Sequence, residues 1–504
     1  MLDLEGEGPS PYLATEILEL IIDELGAEAE LLPTSSAAFQ ALLSFALTGH
    51  RVLTRCQRNL FSVLTLDSPE GKGRKTPAWA HLHQTIAMFQ EKPHFASYVR
   101  RLKISLFHAF PTSRVAVAMT HDITSDSLLQ NLREAEHIML PQLLQKLPNI
   151  TSLSLDGRGS YIGEYSWQSI APPVRQSVVE FLTRPVKGGN MLNELGFENL
   201  VMIPPSLLKD IPPSLHTLRL ESAHFDWTSE NDDKLTLLQP RQWRFAITSL
   251  DFGDQFELID ALLAYDSGRH LAKLQSLSCW VQRTLHAETL GKLLSVCAPS
   301  LRSLEISSFG RRGHLILLTE GIVISSFPRL QSLSLVCEID GFIVYRTDPK
   351  CPGTIARLLE KIVGKAPVLR TISVHAVWSF AGPVYLSRPL QFVGRDSWEY
   401  LDVWLSRYTI RQTSLETIRV RATPHALCTA SRLKQDRAFT YPRLSKEILE
   451  RANREMLAVF RHTKERLRVE LWSQPDKRFR TEVGEGCEIV VPDPKMCRQW
   501  YHPD

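Results

Sequence analysis

Several features that define common functional classes are missing from this sequence. Its eight cysteines are scattered and include no C-x-x-C pair, which excludes the usual zinc-ribbon spacing and argues against a disulfide framework. The 58 basic and 55 acidic residues almost cancel, so the net charge provides no field for binding nucleic acid or a membrane surface. No apolar run approaches the ~20 residues that span a bilayer, and the first ten residues carry acids where a signal peptide carries bases. These absences predict a reduced, cytoplasmic or nuclear protein that binds neither nucleic acid nor membrane.

Catalytic motifs are also missing. The chain contains no G-x-S-x-G, H-E-x-x-H or G-x-G-x-x-G sequence. Asp251-Phe252-Gly253 matches a kinase triplet, but neither a glycine-rich loop nor an H-R-D segment accompanies it, so we interpret it as a coincidence. His81 and His83 are two residues apart and would point to different sides of a helix, which makes them poor joint metal ligands. The sequence therefore predicts a non-enzymatic protein without cofactor or metal.

What the sequence does have is a recurring six-residue phrase with apolar residues at its first, fourth and sixth positions. Its ten copies begin at Val99, Ile150, Leu192, Leu215, Ile247, Leu274, Leu301, Leu330, Leu369 and Leu415. Successive central copies start 27, 27 and 29 residues apart, within the roughly 20–29 residues of leucine-rich repeats. The wider spacing of the outer copies indicates insertions.

Helical patterns lie between the phrases. In Thr354 to Ala366 the apolar residues recur at the spacing of one helical face, and proline precedes several phrases. This order predicts an α/β leucine-rich-repeat-like solenoid over residues 99–424, with a parallel sheet on its concave side and helices on its convex side. One repeat buries three anchors worth ~2 kcal/mol each, too little to order ~27 residues, so neighbouring repeats must stack. The alternative is a chance run of such phrases in a leucine-rich α/β protein.

The alternation of a strand predicts which side chains the concave face presents. The third, fifth and seventh positions of each phrase point away from the apolar side. Eight copies have Ser or Thr at the third position, which close packing of parallel strands already explains. Protein interfaces depend on a few aromatic and Arg anchors, so we predict partner contacts at the fifth and seventh positions, although a merely solvated face is the alternative. These residues are Arg219, Glu221, Asp251, Trp280, Glu305, His375, Arg419 and Arg421.

The N-terminal segment has a different character. Residues 1–50 contain nine acids and no Lys or Arg. The pattern predicts a helix from Thr15 to Leu25 that ends at Gly26, because Thr is a good N-cap and Gly a good C-terminal stop. A second helix is predicted over Ala37 to Leu47, and a basic helix from Arg51 runs into a strand that ends at Leu66.

A family resemblance appears in this segment. The stretch Tyr12-Leu-Ala-Thr-Glu-Ile-Leu18 resembles the opening L-P-x-E-I-L of an F-box. Residues 46–66, with the Arg-rich segment and Leu60-Phe61, are similar to the second half of fungal F-box-like proteins, and residues 79–100 fit the lead into their first repeat. The resemblance implies a small all-α F-box-like domain at residues 1–66, followed by a linking helix at 67–98.

The resemblance also implies a function. An F-box binds the Skp-type adaptor of a cullin–RING ubiquitin ligase, and the repeats would present a protein substrate. The adaptor contacts that it implies are Leu13, Ile17, Leu18, Ile21, Leu47 and Val52. Two alternatives remain: these residues only cap the end of the solenoid, or the chain is a repeat scaffold without a ubiquitin-ligase role. A hydrolase built on a repeat frame is a third, disfavoured by the missing motifs.

The C-terminal segment, residues 425–504, is predicted to be a capping helix and a tail. Residues 443–468 read as a charged helix with one apolar side. From residue 419 onward there are 18 basic and 12 acidic residues, a surplus of six positive charges. Aromatic residues are sparse and acids interrupt the bases, which favours a solvated capping helix over nucleic-acid binding.

Overall fold

The structure is a computed structural model. It describes residues 15–31, 37–66, 78–106, 130, 133–157, 165–184, 192–226, 247–281, 283–308, 326–340, 351–381, 395–411, 414–427, 468–472, 480–484 and 487–491. The chain divides into two compact units, one formed by residues 1–215 with 226–229 and the other by residues 216–225 with 230–504. Within the described residues, no helix is long and apolar enough to cross a membrane.

The first unit begins with three helices, α1 (Thr15–Leu31), α2 (Ala37–Thr48) and α3 (His50–Leu60), here called the head. They enclose a small core of Ile22, Leu42, Val52 and Cys56. The predicted positions of α2 and α3 are close to those observed.

The first helix does not end at Gly26, as its glycine predicted, but continues to Leu31. A Cβ atom at Gly26 would lie 2.6 Å from the side-chain carbon Cγ of Asn59 on α3. Real Cβ atoms do not approach other atoms so closely, so the glycine allows two helices to pack tightly and does not serve as a C-cap. A glycine within a helix is tolerated when such close packing offsets its conformational cost.

Strands and helices follow the head in the first unit. They are β1 (Val63–Leu66), α4 (Ala78–Glu91), α5 (Pro93–Tyr98), β2 (Arg101–Ser105), a π-helical turn (Ala135–Met139), α6 (Leu140–Lys146), β3 (Ser152–Asp156), β4 (Tyr165–Ser166), a 3-10 turn (Trp167–Ser169), α7 (Pro172–Thr183), β5 (Glu194–Glu198), β6 (Leu200–Val201) and a second 3-10 turn (Pro205–Asp210). Strands β1, β2, β3 and β5 are parallel neighbours in that order, and β4 pairs with β6.

The second unit repeats this order of strand and helix. Its elements are β7 (Thr217–Glu221), β8 (Ser249–Asp251), α8 (Phe256–Ala264), a 3-10 turn (Tyr265–Leu271), β9 (Ser276–Trp280), α9 (Thr284–Cys297), β10 (Ser303–Ser308), β11 (Ser332–Asp340), α10 (Cys351–Val363), β12 (Thr371–Ala381), α11 (Arg395–Arg411), β13 (Thr417–Leu427), β14 (Arg468–Trp472), β15 (Arg480–Gly484) and β16 (Cys487–Val491). Strands β7 to β14 are parallel neighbours in chain order, and β15 and β16 form an antiparallel pair.

The register of these strands aligns the sequence phrase position by position. In the second unit the fourth positions lie directly opposite one another on successive strands, and all are buried. They are Leu218, Leu250, Leu277, Leu304, Leu333, Ile372 and Ile418. The same row in the first unit joins Leu102, Leu153 and Leu195. The predicted combination of a parallel sheet and intervening helices is therefore confirmed.

The sequence did not predict strand β14. It pairs with β13 and so extends the sheet beyond the last recognised phrase, within the segment that the sequence assigned to a capping helix and tail. The register places Val469 and Leu471 opposite Ile418 and Val420, which are fourth and sixth positions. The first position of this copy is Arg466 instead of an apolar residue, so the phrase is broken there. The helix predicted over 443–468 lies outside the described residues except for Arg468, which is the first residue of β14.

Candidate functional site

The head presents apolar side chains to solvent on two of its helices. On α1 these are Ile17, Leu20 and Ile21, and on α2 they are Leu43 and Leu47, all among the exposed large hydrophobic residues. We call these five residues the head surface. Residues three and four apart share one side of a helix, so each helix carries its exposed residues as a short stripe that is separate from its buried side. Leu47 is 89% exposed, which is costly for a leucine that has no partner.

The structure separates the residues predicted to contact an adaptor into three groups. Ile17, Ile21 and Leu47 lie on the head surface. Leu18 is half-buried against the head core, and Val52 is only 6% exposed and belongs to that core. Val52 therefore supports the bundle and is not available to a partner. Leu13 lies outside the described residues.

Two members of the head surface were missed by the sequence reasoning. Leu20 lies three residues after Ile17, and Leu43 lies four residues before Leu47. The helical spacing that linked them to predicted residues was available in the sequence. The family resemblance predicted contacts at the positions of the F-box motif and did not extend to the other exposed residues of each helix.

An ion-paired contact fixes the orientation of α1 in the head. Arg55 on α3 donates through Nε to Asp23 Oδ1 at 2.9 Å and through Nη2 to Asp23 Oδ2 at 2.5 Å, and it also pairs with Glu19. Asn59 Nδ2 donates to the carbonyl oxygen of Ile22 at 3.2 Å. The hydrogen bond from Arg55 is the main reason that the pKa of Asp23 is lowered. These contacts hold the stripe of Ile17, Leu20 and Ile21 outward.

The second unit presents polar side chains on the face of its sheet opposite the apolar rows. The fifth positions form a row across seven strands, namely Arg219, Asp251, Ser278, Glu305, Ser334, Ser373 and Arg419. Arg219 and Arg419 are exposed, and Asp251 and Glu305 are half-buried. Glu221 and Trp280, at seventh positions of their phrases, are also half-buried.

The predicted alternation ends at the seventh position of the later strands. His375 was predicted on the open face, but it is only 5% exposed. Ser307 and Val336, at the same position of β10 and β11, are buried as well. In β10 the burial runs unbroken from the sixth position onward, so these strands no longer expose every second residue. His375 is therefore not on the partner-facing surface, and the side chain of Arg421 lies outside those described.

The acids of this face influence one another. Burial, together with the nearby charges of Glu221 and Glu305, raises the pKa of Asp251 to about 6, although hydrogen bonds from the Gly253 backbone and Ser278 act to lower it. Neither Asp251 nor Glu305 forms an ion pair in the part of the chain that the structure describes. Among the described residues, these two carboxylates thus have no internal counter-ion.

In the first unit, by contrast, the acids on neighbouring strands have an ion-pair partner. Lys103 Nζ lies 3.0 Å from Glu198 Oε2 and 3.6 Å from Asp156 Oδ2. Ser154 Oγ donates to Glu198 Oε1 at 3.0 Å, and Asn199 Nδ2 donates to Asp156 Oδ1 at 2.8 Å. This network joins three strands and gives both carboxylates an ion-pair partner and a hydrogen bond within the fold, as buried charges require.

The kinase-like triplet has a structural explanation. Gly253 follows β8 with φ 54°, and a Cβ atom there would lie 2.9 Å from the carbonyl oxygen of Leu220. Only glycine fits such a left-handed, crowded position easily, and Phe252 is fully buried. Among the described residues no group of three His, Cys, Asp or Glu side chains is arranged to hold a metal ion.

Comparison with known proteins gives little further information. No protein-family model matches the chain, and no curated protein matches it. A chain of a solved structure, described as "Crystal structure of Rad7 and Elc1 complex in yeast", is similar over 85% of this chain and 91% of its own length, with 12% sequence identity and a TM-score of 0.27. A similarity this small supports no conclusion about fold or function, so the function must be argued from the surfaces themselves.

Proposed function

We propose that the protein is a non-enzymatic substrate receptor of a cullin–RING ubiquitin ligase, acting in the cytoplasm or nucleus. The F-box-like head binds the Skp-type adaptor, and the repeats form a solenoid whose concave sheet binds a protein substrate. The single observation that carries this proposal is the head surface, because five large apolar side chains are exposed on two helices of one small bundle. Exposed apolar clusters of this kind are typical of surfaces that bind another protein.

The arrangement of the head supports a docking role. The bundle has its own core around Ile22 and Leu42, so its outward residues are not needed to close it. Arg55 and Asn59 fix α1 against α3, which holds the apolar side chains in place before a partner binds. A surface that is already ordered loses less conformational entropy on binding.

A double substitution tests the adaptor contact. Ile17→Asp with Ile21→Asp places two charges on the head surface without touching its core. We expect the wild-type chain to co-purify with a co-expressed Skp-type adaptor and the variant to lose at least roughly a hundredfold in affinity, because burying an unpaired carboxylate in an apolar interface is strongly unfavourable.

The matched control is Leu285→Asp with Val368→Asp, which introduces the same charges at two exposed apolar residues of the second unit. It should bind the adaptor as the wild type does. A wild-type chain that never associates with the adaptor, or a head variant that binds as well as the control, contradicts the receptor function.

A repeat scaffold without a ligase role is the second candidate. It is favoured by the packing of the head on the following elements, where the Phe61 ring stacks on Phe95 at 4.4 Å, as an end cap would pack. The same experiment separates the two functions, since only the receptor requires the adaptor.

A further inference from the structure

We infer that the sheet face of the second unit binds an arginine- or lysine-bearing segment of a protein partner, with a cationic side chain placed over Ser278, between Asp251 and Glu305 and beside Trp280. We call these four residues the strand-face site. The inference rests on the proposed function, since it names the chemistry of the substrate that the repeats would bind.

The first step is geometric. Asp251, Ser278 and Glu305 lie directly opposite one another on β8, β9 and β10. Two strand spacings separate the outer two backbones, about 10 Å. Trp280 lies two residues after Ser278 on β9, whose burial alternates along its whole length, so the indole stands on the same side of the sheet. Two carboxylates therefore flank a small hydroxyl, with an aromatic ring next to it.

The second step is electrostatic. Within the described residues, Asp251 and Glu305 have no cationic partner, and Glu221 adds to the negative potential at Asp251. Arg219 lies opposite Asp251 on β7 and is exposed. In the first unit, Lys103 satisfies the corresponding need from within the chain. Among the described residues of the second unit none takes that role for Asp251 and Glu305, so we assign the cation to a partner.

The third step identifies the ligand class. A metal ion is held by several ligands at once, and among the described residues no group of three His, Cys, Asp or Glu side chains is arranged to hold one. A guanidinium or ammonium group on a long side chain spans such a site with separate hydrogen bonds to each acid. The face of Trp280 adds a cation–π contact, which arginine makes most often. These features favour a basic protein segment.

The test measures binding of a labelled peptide to the full chain by fluorescence anisotropy. The probe is a short peptide of alternating arginine and serine, and the matched probe has glutamate in place of arginine. The key variant is Asp251→Asn with Glu305→Gln, which removes two charges and keeps the side-chain shapes. The control is Glu257→Gln with Glu288→Gln, which removes two charges from exposed helical positions.

We expect the wild type to bind the arginine peptide and not the glutamate peptide. The strand-face variant should lose roughly tenfold or more in affinity, and the control variant should bind as the wild type does. Equal losses in both variants would reveal a non-specific charge effect and overturn the inference, as would an unchanged affinity in the strand-face variant or no binding by the wild type. The adaptor takes no part in this measurement, so retained peptide binding in a chain that fails to bind the adaptor would reject the receptor function alone.

Discussion

At the residue scale, Asp251 is an acid that the fold holds where its charged form is disfavoured. It is a carboxyl group at the end of a strand, where burial is the main cause that raises its pKa and the charges of Glu221 and Glu305 raise it as well. An acid whose pKa is raised on folding is less easily ionised in the folded chain than in the unfolded one. Its ionised form therefore destabilises the native state.

The pH dependence of stability tests this point. The pKa of Asp251 is about 6 in the folded chain against 3.8 for the free group, so the folded state binds the extra proton between these values. The contribution of Asp251 then decreases the free energy of unfolding as pH rises from about 4 to about 6, and the penalty persists above that range. Asp251→Asn should remove it and stabilise the chain near neutral pH by on the order of 2 kcal/mol.

Urea unfolding of both chains at about pH 4 and about pH 7.5 measures the effect. The variant should gain on the wild type at the higher pH only. Glu257→Gln, an exposed acid on a helix, serves as the control and should show no such difference. If the Asp251→Asn variant were as stable as the wild type at both pH values, ionisation of Asp251 would not lower the free energy of unfolding.

Only part of the candidate site could be predicted from the sequence, and particular residues show why the other predictions were wrong. A strand alternates strictly in principle, which predicted the open face for Asp251, Trp280 and Glu305, and the structure leaves these three side chains half-buried. His375 was misplaced because the burial of the later strands continues past the sixth position. Val52 was misplaced because α3 turns one side toward two other helices, and the pattern of one helix does not tell which neighbours cover it.

At the element scale, the rows of aligned leucines are the unit of stability. Leu304 on β10 lies between Leu277 and Leu333 and is completely buried. Its side chain fills space that neighbouring strands and helices leave for it. Removing it should leave a cavity that the parallel strands on both sides cannot close easily.

We expect Leu304→Ala to lower the free energy of unfolding by about 2–5 kcal/mol. The matched control is Leu285→Ala on α9, where the leucine is 61% exposed, and it should change stability by no more than about 0.5 kcal/mol. Chemical denaturation of the two variants against the wild type measures both values. Similar losses at the two positions would contradict the role of the aligned rows.

These rows also show why most of the fold was accessible from the sequence. The phrase repeats because every strand must present the same three inward residues to its neighbours, and that requirement is visible in a single chain. Helix α10 was accessible for the same reason, and its predicted apolar residues Ile355 and Leu358 are fully buried. Strand β14 and the full length of α1 could not be predicted. Arg466 interrupts the phrase of β14, and Gly26 is a residue that commonly ends a helix, although α1 continues past it.

At the scale of the larger units, the head and strands β1 to β5 belong to the same compact unit. The carbonyl oxygen of Ser62 accepts hydrogen bonds from the backbone N–H groups of Arg100 at 2.8 Å and Arg101 at 3.0 Å. Phe61, directly after α3, stacks on Phe95 of α5. The residues directly after the head thus contact the next elements of this unit, whereas the exposed apolar residues lie on α1 and α2, so capping and adaptor binding are not exclusive roles.

This double role leads to a prediction that separates the two. Deleting residues 1–60 removes the cap, so we expect the truncated chain to lose more than about 2 kcal/mol of unfolding free energy, because apolar surface that α3 covers becomes exposed. Ile17→Asp with Ile21→Asp leaves the cap in place and should keep the unfolding midpoint of the wild type. Denaturant unfolding of the three chains in parallel gives the comparison. A truncated chain as stable as the full one would show that the head caps nothing. If the double variant were destabilised as strongly as the truncated chain, its exposed stripe would be part of the cap, and loss of adaptor binding would then reflect unfolding instead of a lost contact.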